Sequence, residues 1–252
     1  MTRLLVIVND IESQPGQLTR WMISENVEFD LRIGGVSALP APEALDDYDG
    51  LIMLGGGYMP DETDRAPWLS TEAELSKRAL ATDMPQFGIC LGGQLIAHII
   101  GGDVRAQTGE PEKGYTWIDT TAEAAADPVF SALPQRTSFV ESHVDRIVAL
   151  PPEATLLASS QACEFQAFRV GNAWGTQFHP ESTRENILRW DADKLQNLGF
   201  NKETLLKEAA ERGPDSERDA KALFTAFLAV VRDTGMWKHR DVKKPGCEGT
   251  RM

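Results

Sequence analysis

The sequence predicts an α/β protein whose mostly parallel central sheet is flanked by helices and extended by additional antiparallel strands. Two observations carry this prediction. The first hundred residues alternate strand candidates with helical segments, the pattern of parallel strands joined by crossover helices. Beyond Gly102, short strand candidates follow one another closely, which favours antiparallel pairing.

The domain organisation follows from length and composition. The chain has 252 residues, enough for one sizeable α/β domain, and no linker rich in Pro, Gly or Ser divides it. We therefore expect a single domain over residues 1–237 and a polar tail over residues 238–252. Within the domain, we expect a core over about residues 1–195 and C-terminal helices over about residues 196–237.

The first half contains four strand candidates, at residues 4–8, 30–33, 50–54 and 86–89. The first and third are continuous apolar runs, typical of strands buried on both faces. Three helices are expected between and after these strands, over residues 17–25, 71–82 and 91–100. Thr71 and Glu74 form a capping-box pattern at the start of the second helix, and Gly101-Gly102 ends the third.

The second half contains six shorter strand candidates, at residues 115–119, 138–141, 146–150, 155–158, 164–170 and 173–177. Helices are expected to return over residues 183–198, 202–212 and 217–233. The change from alternating elements to crowded strands predicts that antiparallel pairs are mixed into the sheet.

Charge and cysteine content limit the possible functions. Asp plus Glu number 38 against 25 Lys plus Arg, a formal charge of −13, so nucleic acid is not an expected partner. The three cysteines are few and widely spaced, which matches neither a disulfide framework nor a zinc site. The N-terminal apolar run is too short for a signal peptide, and no stretch is long enough to span a membrane. We expect a cytoplasmic protein that contacts no membrane.

A nucleophile elbow is the strongest chemical signal. Gly88-Ile89-Cys90-Leu91-Gly92 matches the pattern glycine-x-nucleophile-x-glycine, between a predicted strand and a predicted helix. The sharp turn exposes the sulfur beyond the strand end, and the start of the helix favours the thiolate. The alternative is a small buried cysteine in a glycine turn.

A cysteine nucleophile needs a base, and four histidines are available. His179 ends a strand candidate and is followed by Pro180 and Glu181, so a carboxylate can orient its imidazole. His98 lies on the apolar helix and is expected to pack there, while His239 lies in the tail. Alone, His179 would be an ordinary loop histidine. Together with the elbow, it is the expected catalytic base.

Negative charge that develops on an attacked carbonyl requires hydrogen-bond donors. The amide of Leu91 is one candidate. The loop Gly55-Gly56-Gly57, which follows a buried strand, offers further backbone amides, although such a loop is also a common flexible turn.

These motifs together resemble the class I (triad) glutamine amidotransferases. The matching segments, in the order of that family, are Leu54 to Gly57, Gly88 to Gln94 and Gln177 to Glu181. The resemblance covers roughly residues 1–195 and is strongest to the free-standing, GMP-synthase-like members. It implies a flavodoxin-like α/β fold of the type found in that family.

The resemblance also implies an activity and a set of residues. Glutamine would be hydrolysed through a cysteine γ-glutamyl thioester, and the ammonia would go to a synthetase partner. Cys90 would be the nucleophile, His179 the base and acid, and Glu181 the orienting group. Gly56 and Leu91 would form the oxyanion hole. The residues expected to contact the substrate are Gly57, Gln94, Ser142, His143 and Val144. Neither a cofactor nor a metal is expected.

Two departures from the family pattern keep alternatives open. Gly57 stands where the family commonly has proline, and Val144 stands where many members have glycine. A γ-glutamyl peptidase or hydrolase would use the same triad on other γ-glutamyl conjugates, and it would need room beyond the leaving nitrogen. A non-catalytic binding or regulatory member is a further alternative, which the intact triad argues against. A hydrolase of unrelated esters is the last alternative, and Gln94 argues against it.

Overall fold

The fold contains one nine-stranded sheet and one two-stranded sheet, described by a computed structural model over residues 1–241. The strands are β1 (Arg3–Val8), β2 (Glu28–Ile33), β3 (Gly50–Met53), β4 (Gln86–Ile89), β5 (Asp103–Arg105), β6 (Glu112–Thr120), β7 (Arg136–His143), β8 (Arg146–Ala149), β9 (Thr155–Ser159), β10 (Ala167–Val170) and β11 (Ala173–Thr176). The helices are α1 (Gly16–Ser24), α2 (Trp68–Ala81), α3 (Leu91–Ile99), α4 (Arg184–Arg189), α5 (Ala192–Asn197) and α6 (Lys202–Asp241).

The larger sheet has the strand order β2-β1-β3-β4-β11-β10-β9-β6-β7. Its first five strands are parallel, and the other four are joined in antiparallel pairs. The predicted fold class is therefore confirmed. Since the carboxyl ends of parallel strands meet at one edge of the sheet, the residues that follow β1, β3, β4 and β11 come together there.

Apolar side chains cover both faces of the parallel strands. Alternate residues of β1 point to opposite faces. Val6 packs in a core with Phe227 of α6, and Ile7 packs in a second core with Leu75 of α2 and Ile96 of α3. The helices thus close both faces and leave the strand ends accessible for a site. Across residues 1–241, no helix combines the length and the hydropathy that a membrane span requires.

The start of α2 differs from its prediction. The helix begins at Trp68 rather than at the capping-box residue Thr71. Leu69, in its first turn, is buried with Ala66 and Leu91 in a small apolar cluster. Packing of this first turn extends the helix beyond the position that local capping chemistry favours, since tertiary packing provides most helical stability in proteins.

The helix predicted over residues 183–198 is in fact two short helices, α4 and α5. Trp190 between them has an extended backbone, with ψ of 143°. The Asp191 side chain accepts hydrogen bonds of 2.9 Å from the amides of Asp193 and Lys194. Asp191 is therefore an N-cap that starts a new helix.

The C-terminal region contains fewer helices than predicted. Two helices were expected over residues 202–212 and 217–233, but α6 is continuous and has Pro214 inside it. Proline normally breaks a helix because it lacks an N–H. Here both sides of Pro214 are held by packing, through Leu205 and Ala209 on one side and Phe227 on the other. The first four residues of the predicted tail belong to α6, and residues 242–252 lie outside the described residues.

One strand escaped prediction, and one predicted strand belongs to a different sheet. β5 has a single apolar residue, Val104, so it carries no recognisable pattern. It pairs with β8 in the small sheet. The strand candidate at residues 146–150 therefore does not extend the central sheet.

Two glycine-to-alanine substitutions should have unequal effects on stability. A Cβ on Gly175 would lie 2.4 Å from the Phe168 ring across the strand pair, so Gly175→Ala should lower the free energy of unfolding by about 1–3 kcal/mol. A Cβ on Gly213 of α6 would lie 3.4 Å from the Tyr115 hydroxyl. Gly213 directly precedes Pro214, whose ring disfavours a β-carbon on the preceding helical residue. This cost opposes the gain in helix propensity, so Gly213→Ala should change the free energy of unfolding by less than about 1 kcal/mol. Urea unfolding of both variants checks this, and equal effects would contradict the packing described at Gly175.

Candidate active site

Cys90 lies in a strained turn between β4 and α3. Its backbone has φ of 52° and ψ of −107°, a conformation that non-glycine residues rarely adopt and that often marks functional sites. A Cβ on Gly88 would lie 2.4 Å from the Gly92 carbonyl carbon, and a Cβ on Gly92 would lie 2.2 Å from the Met53 oxygen. The glycines of the elbow are thus required by close backbone approach.

His179 follows β11, the strand next to β4, and its ring is oriented by Glu181. The distance from His179 Nδ1 to Glu181 Oε1 is 2.7 Å. The amide of His179 donates to the Val140 oxygen of β7 at 2.8 Å, and the amide of Gln17 in α1 donates to the Glu181 oxygen at 3.0 Å. The backbones of His179 and Glu181 are therefore held by main-chain hydrogen bonds to two different elements, β7 and α1.

The environment of His179 favours its charged form. Burial alone lowers the pKa of His179, but the Glu181 carboxylate and the neighbouring Cys90 outweigh burial and raise this pKa well above its ordinary value. Among the side chains of residues 1–235, the Nε2 atom has no hydrogen-bond partner. The ring is thus available to exchange a proton with a neighbouring nucleophile or substrate.

Two glutamine side chains connect the nucleophile to the segment after β7. Gln177 Nε2 lies 3.6 Å from Cys90 Sγ, and Gln177 Oε1 accepts a 3.2 Å hydrogen bond from Gln94 Nε2. Gln94 Nε2 also donates to the Asp145 oxygen at 3.2 Å. The predicted substrate residue Gln94 is buried next to the nucleophile. Gln177 was not predicted as a site residue, although it lies inside the quoted His179 motif.

The glycine loop after β3 lies beside the start of α3. A Cβ on Gly56 would be 3.0 Å from Leu91 Cδ2, so the two predicted oxyanion-hole residues are neighbours. Leu91 is the first residue of α3, and its amide has no partner within the helix. Around Gly57 there is more space, since the nearest atom to its Cβ position is Asp10 Oδ2 at 3.6 Å.

A buried polar network supports this glycine loop. Asn9 Nδ2 donates to the Leu54 oxygen at 3.1 Å and to Glu72 Oε1 at 3.0 Å, and Trp68 Nε1 donates to Asn9 Oδ1 at 2.9 Å. A Cβ on Gly56 would lie 3.0 Å from Asn9 Cβ. Sequence analysis missed Asn9, although its position directly after the buried strand β1 is a usable signal.

The other predicted substrate residues lie at the end of β7 and just after it. The Ser142 hydroxyl accepts a 2.9 Å hydrogen bond from Lys113 Nζ. His143 is buried, and both its ring nitrogens have partners, Glu112 Oε2 at 3.0 Å and the Asp145 oxygen at 3.2 Å. This geometry favours a supporting role for His143. Val144 is partly exposed.

Glu112, His143 and Cys163 are the one group of potential metal ligands found among residues 1–241, with donor atoms within 4.8 Å of one another. Burial raises the pKa of Cys163 to about 12, so the sulfur keeps its proton. Glu112 already accepts from His143 and from Gln166 Nε2 at 2.9 Å. Burial also raises the pKa of neighbouring Glu141 well above its ordinary value. The group is thus a buried hydrogen-bonded cluster beneath Ser142, in which Glu112 and His143 already have protein partners.

A cavity of about 520 Å³ opens beside the imidazole. We call it the His179 cavity. Its lining includes Lys113, Ser142, His179, Arg189, Trp190 and Lys194. Its outer wall is the break between α4 and α5, which the sequence did not predict. Its size lies within the range of small-molecule sites.

Burial raises the pKa of Glu72 to about 8. Between pH 4.5 and 8 the unfolded chain ionises this carboxyl and the folded chain does not, so its contribution to stability falls as pH rises. Glu72→Gln should remove that part of the pH dependence and make the variant relatively more stable at pH 8, by on the order of a few kcal/mol. Urea unfolding of both proteins at pH 5 and pH 8 tests this. Parallel pH profiles would show that Glu72 is ionised in the folded protein.

Comparisons with known proteins agree with this geometry. The family Glutamine amidotransferase class-I matches residues 16–189. One of the subunits of the glutamine-hydrolysing GMP synthase of Sulfolobus acidocaldarius is 31% identical over 174 residues, which cover 66% of this chain and 85% of the relative. The corresponding protein of Pyrococcus abyssi is 37% identical over 172 residues, which cover 63% and 86%.

Solved structures agree as well. A glutamine amidotransferase from Thermotoga maritima superposes with a TM-score of 0.80 at 26% identity, covering 91% of this chain and 97% of that one. A glutamine amidotransferase from Methylobacillus flagellatus has the same fold, with a TM-score of 0.80 at 22% identity and full coverage of both chains. The family predicted from the sequence motifs is thus confirmed, and the chain belongs to the class-I glutamine amidotransferases, which are cysteine-nucleophile amidases.

Proposed function

We propose that the chain hydrolyses the side-chain amide of L-glutamine with Cys90 as nucleophile, His179 as general base and acid, and Glu181 as the orienting group. The relative placement of these three residues carries the proposal. Glu181 bonds one ring nitrogen at 2.7 Å, and Cys90 lies on the other side of the imidazole at the start of α3. Membership of the family supports the same chemistry.

The proposed reaction has two halves. The Cys90 sulfur attacks the amide carbon while His179 holds the thiol proton. The carbon–nitrogen bond breaks as His179 gives this proton to the nitrogen, which leaves as ammonia, and a γ-glutamyl thioester remains. Water then transfers a proton to His179 and attacks the thioester. The sulfur leaves and recovers its proton, so glutamine and water become glutamate and ammonia.

In this proposal the amides of Gly56 and Leu91 stabilise the oxyanion of each tetrahedral intermediate. The contact between Gly56 and the Leu91 side chain supports the assignment. Gly57 has open space beside it where the family commonly has proline, so this loop depends on the Asn9 network for its position.

We assign the glutamyl part of the substrate to Gly57, Gln94 and the backbone groups of Ser142 and Val144, with His143 supporting them from beneath. Gln94 is the best supported of these, because its amide bridges the nucleophile region and the segment after β7. Both of these hydrogen bonds run from Nε2 to protein oxygens, so the Gln94 carbonyl oxygen is available to accept a bond from the substrate.

We infer that the ammonia acceptor is a synthetase on a separate partner chain. Several relatives are named as one of the subunits of a glutamine-hydrolysing GMP synthase, which supports a division of labour between two chains. The free thiols of Cys90 and Cys163 suit the cytoplasm, where we place the reaction.

The His179 cavity favours a second candidate function. Ammonia is a single heavy atom, whereas the cavity of about 520 Å³ could hold a much larger leaving group. The same triad would then act as a γ-glutamyl hydrolase on conjugates whose leaving nitrogen belongs to an organic amine.

Glutamine hydrolysis should depend entirely on the sulfur of Cys90. Release of glutamate and ammonia from L-glutamine should fall by at least about 10³-fold in Cys90→Ala. Cys163→Ala is the matched control, because Cys163 is buried with its thiol protonated, and it should retain activity. Unchanged hydrolysis in Cys90→Ala would refute the proposed nucleophile.

Alkylation of Cys90 should report the role of Glu181. Glu181→Gln removes the carboxylate that raises the pKa of His179, so His179 should be a weaker acceptor for the proton of the Cys90 thiol. Iodoacetamide should then modify Cys90 roughly tenfold more slowly. Mass spectrometry of the Cys90 peptide follows the rate, with Cys90→Ala as the blank. An unaltered rate would mean that Glu181 does not act through His179.

A further inference from the structure

The position of the His179 cavity relative to the triad identifies which end of a substrate it would receive. His179 lines the cavity, and it is the residue that gives a proton to the leaving nitrogen. Of the residues assigned to the glutamyl part, Ser142 lines the cavity, whereas Gly57, Gln94 and Val144 do not. Glu181 lines the cavity as well, and Cys90 does not. His179 is thus the link between the cavity and the nucleophile, and on that ground we assign the cavity to the leaving group.

The charge of the cavity contrasts with that of the whole protein. The chain carries a formal charge of −13, yet Lys113, Arg189 and Lys194 all line this cavity. Three acids also line it, so the contrast is one of proportion: Glu12 and Asp191 are exposed, and Glu181 is paired with His179. Asp191 is engaged in capping α5.

Lys113 is the deepest of the three cations. It lies on β6 directly opposite Ser142 of β7, and its Nζ donates to the Ser142 hydroxyl at 2.9 Å. The Trp190 ring lies 5.7 Å from Nζ. Across residues 1–241, no carboxylate makes an ion pair with Lys113, so its ammonium faces the cavity with a hydroxyl and an aromatic ring as its partners.

A partly buried ammonium without a carboxylate partner is costly, and a ligand carboxylate compensates for the cost. Burial lowers the pKa of Lys113. A ligand carboxylate near Nζ would favour the charged ammonium. The Ser142 hydroxyl, which accepts from Nζ, can donate its own proton to the same anion.

We propose that Lys113 binds a carboxylate on the leaving group, so that the site acts on γ-glutamyl amino acids and short γ-glutamyl peptides. The proposal rests on the Cys90 chemistry described above and extends it to one substrate class. The acylation step is unchanged. The sulfur displaces the amino acid, whose nitrogen takes the proton from His179, and water then releases glutamate from the thioester.

A matched pair of substrates isolates the effect of the leaving-group carboxylate. γ-Glutamylglycine and γ-glutamylglycinamide have nearly the same size, and only the former carries a leaving-group carboxylate. We expect kcat/KM to favour γ-glutamylglycine by about 10- to 100-fold, the range of one charge-assisted hydrogen bond. Lys113→Met should reduce this preference to less than about twofold, because the rate on γ-glutamylglycine should fall much more than the rate on the glycinamide. Lys113→Arg should retain part of the preference.

The control is Lys77→Met, because Lys77 is an exposed lysine of α2 that pairs with Glu74. This variant should keep the wild-type preference. An equal loss of kcat/KM on both substrates in Lys113→Met would overturn the proposal. That result is expected if Lys113 instead binds the glutamyl part or stabilises the fold. An absence of preference in the wild-type protein would overturn it too.

L-glutamine in the same assay tests the proposed glutaminase activity separately from the leaving-group site. Hydrolysis of glutamine without any cleavage of γ-glutamylglycine would refute the leaving-group site and leave the proposed glutaminase intact. If neither is cleaved and Cys90 resists a glutamine-analogue electrophile, the proposed function itself fails, and the leaving-group site fails with it.

Discussion

The close approach of α3 to the sheet is the constraint on which the rest of the structure depends. Backbone atoms of β3, β4, β11 and α3 come so near that added Cβ atoms on Gly88, Gly92 and Gly93 would lie 2.2–2.6 Å from carbonyl groups or amides of neighbouring segments. This packing forces the nucleophile into its positive-φ turn. It also places the first amide of α3 beside the glycine loop and the end of β11 beside the sulfur. The geometry of the site therefore depends on the packing of α3 against the sheet.

Burial sets the charge states around the nucleophile. The pKa values of Glu72 and Glu141 are raised because water is excluded from both, so these acids add little negative charge near the substrate. His179 differs because its carboxylate partner and the nucleophile compensate for burial. Within a strongly acidic protein, the site thus has a larger share of cations than the rest of the chain, and the buried acids nearby add little opposing charge.

Much of this arrangement could be predicted from the sequence, for a physical reason. Cys90, His179 and the loop Gly55–Gly57 each follow a strand of the parallel half directly, and such positions meet at one sheet edge whatever the loop details. Fold class and family followed from the same reasoning.

Residues that depend on register or on distant burial could not be predicted in this way. Lys113 faces the cavity only because β6 pairs with β7 in one register. Glu72 lies on a helix with many charged neighbours, and nothing local shows that it is buried against Asn9, 63 residues away in sequence. The helix break at Trp190 was missed because the cap at Asp191 competes with an uninterrupted helical pattern.

The amide bond between His179 and Val140 has a mechanical consequence. β7 is the edge strand of the central sheet, and it carries both the carbonyl that anchors the His179 backbone and the Ser142 hydroxyl that accepts from Lys113. A displacement of β7 would therefore move the His179 backbone and the Ser142 hydroxyl together, so the proposed base and the proposed leaving-group site depend on the position of one strand.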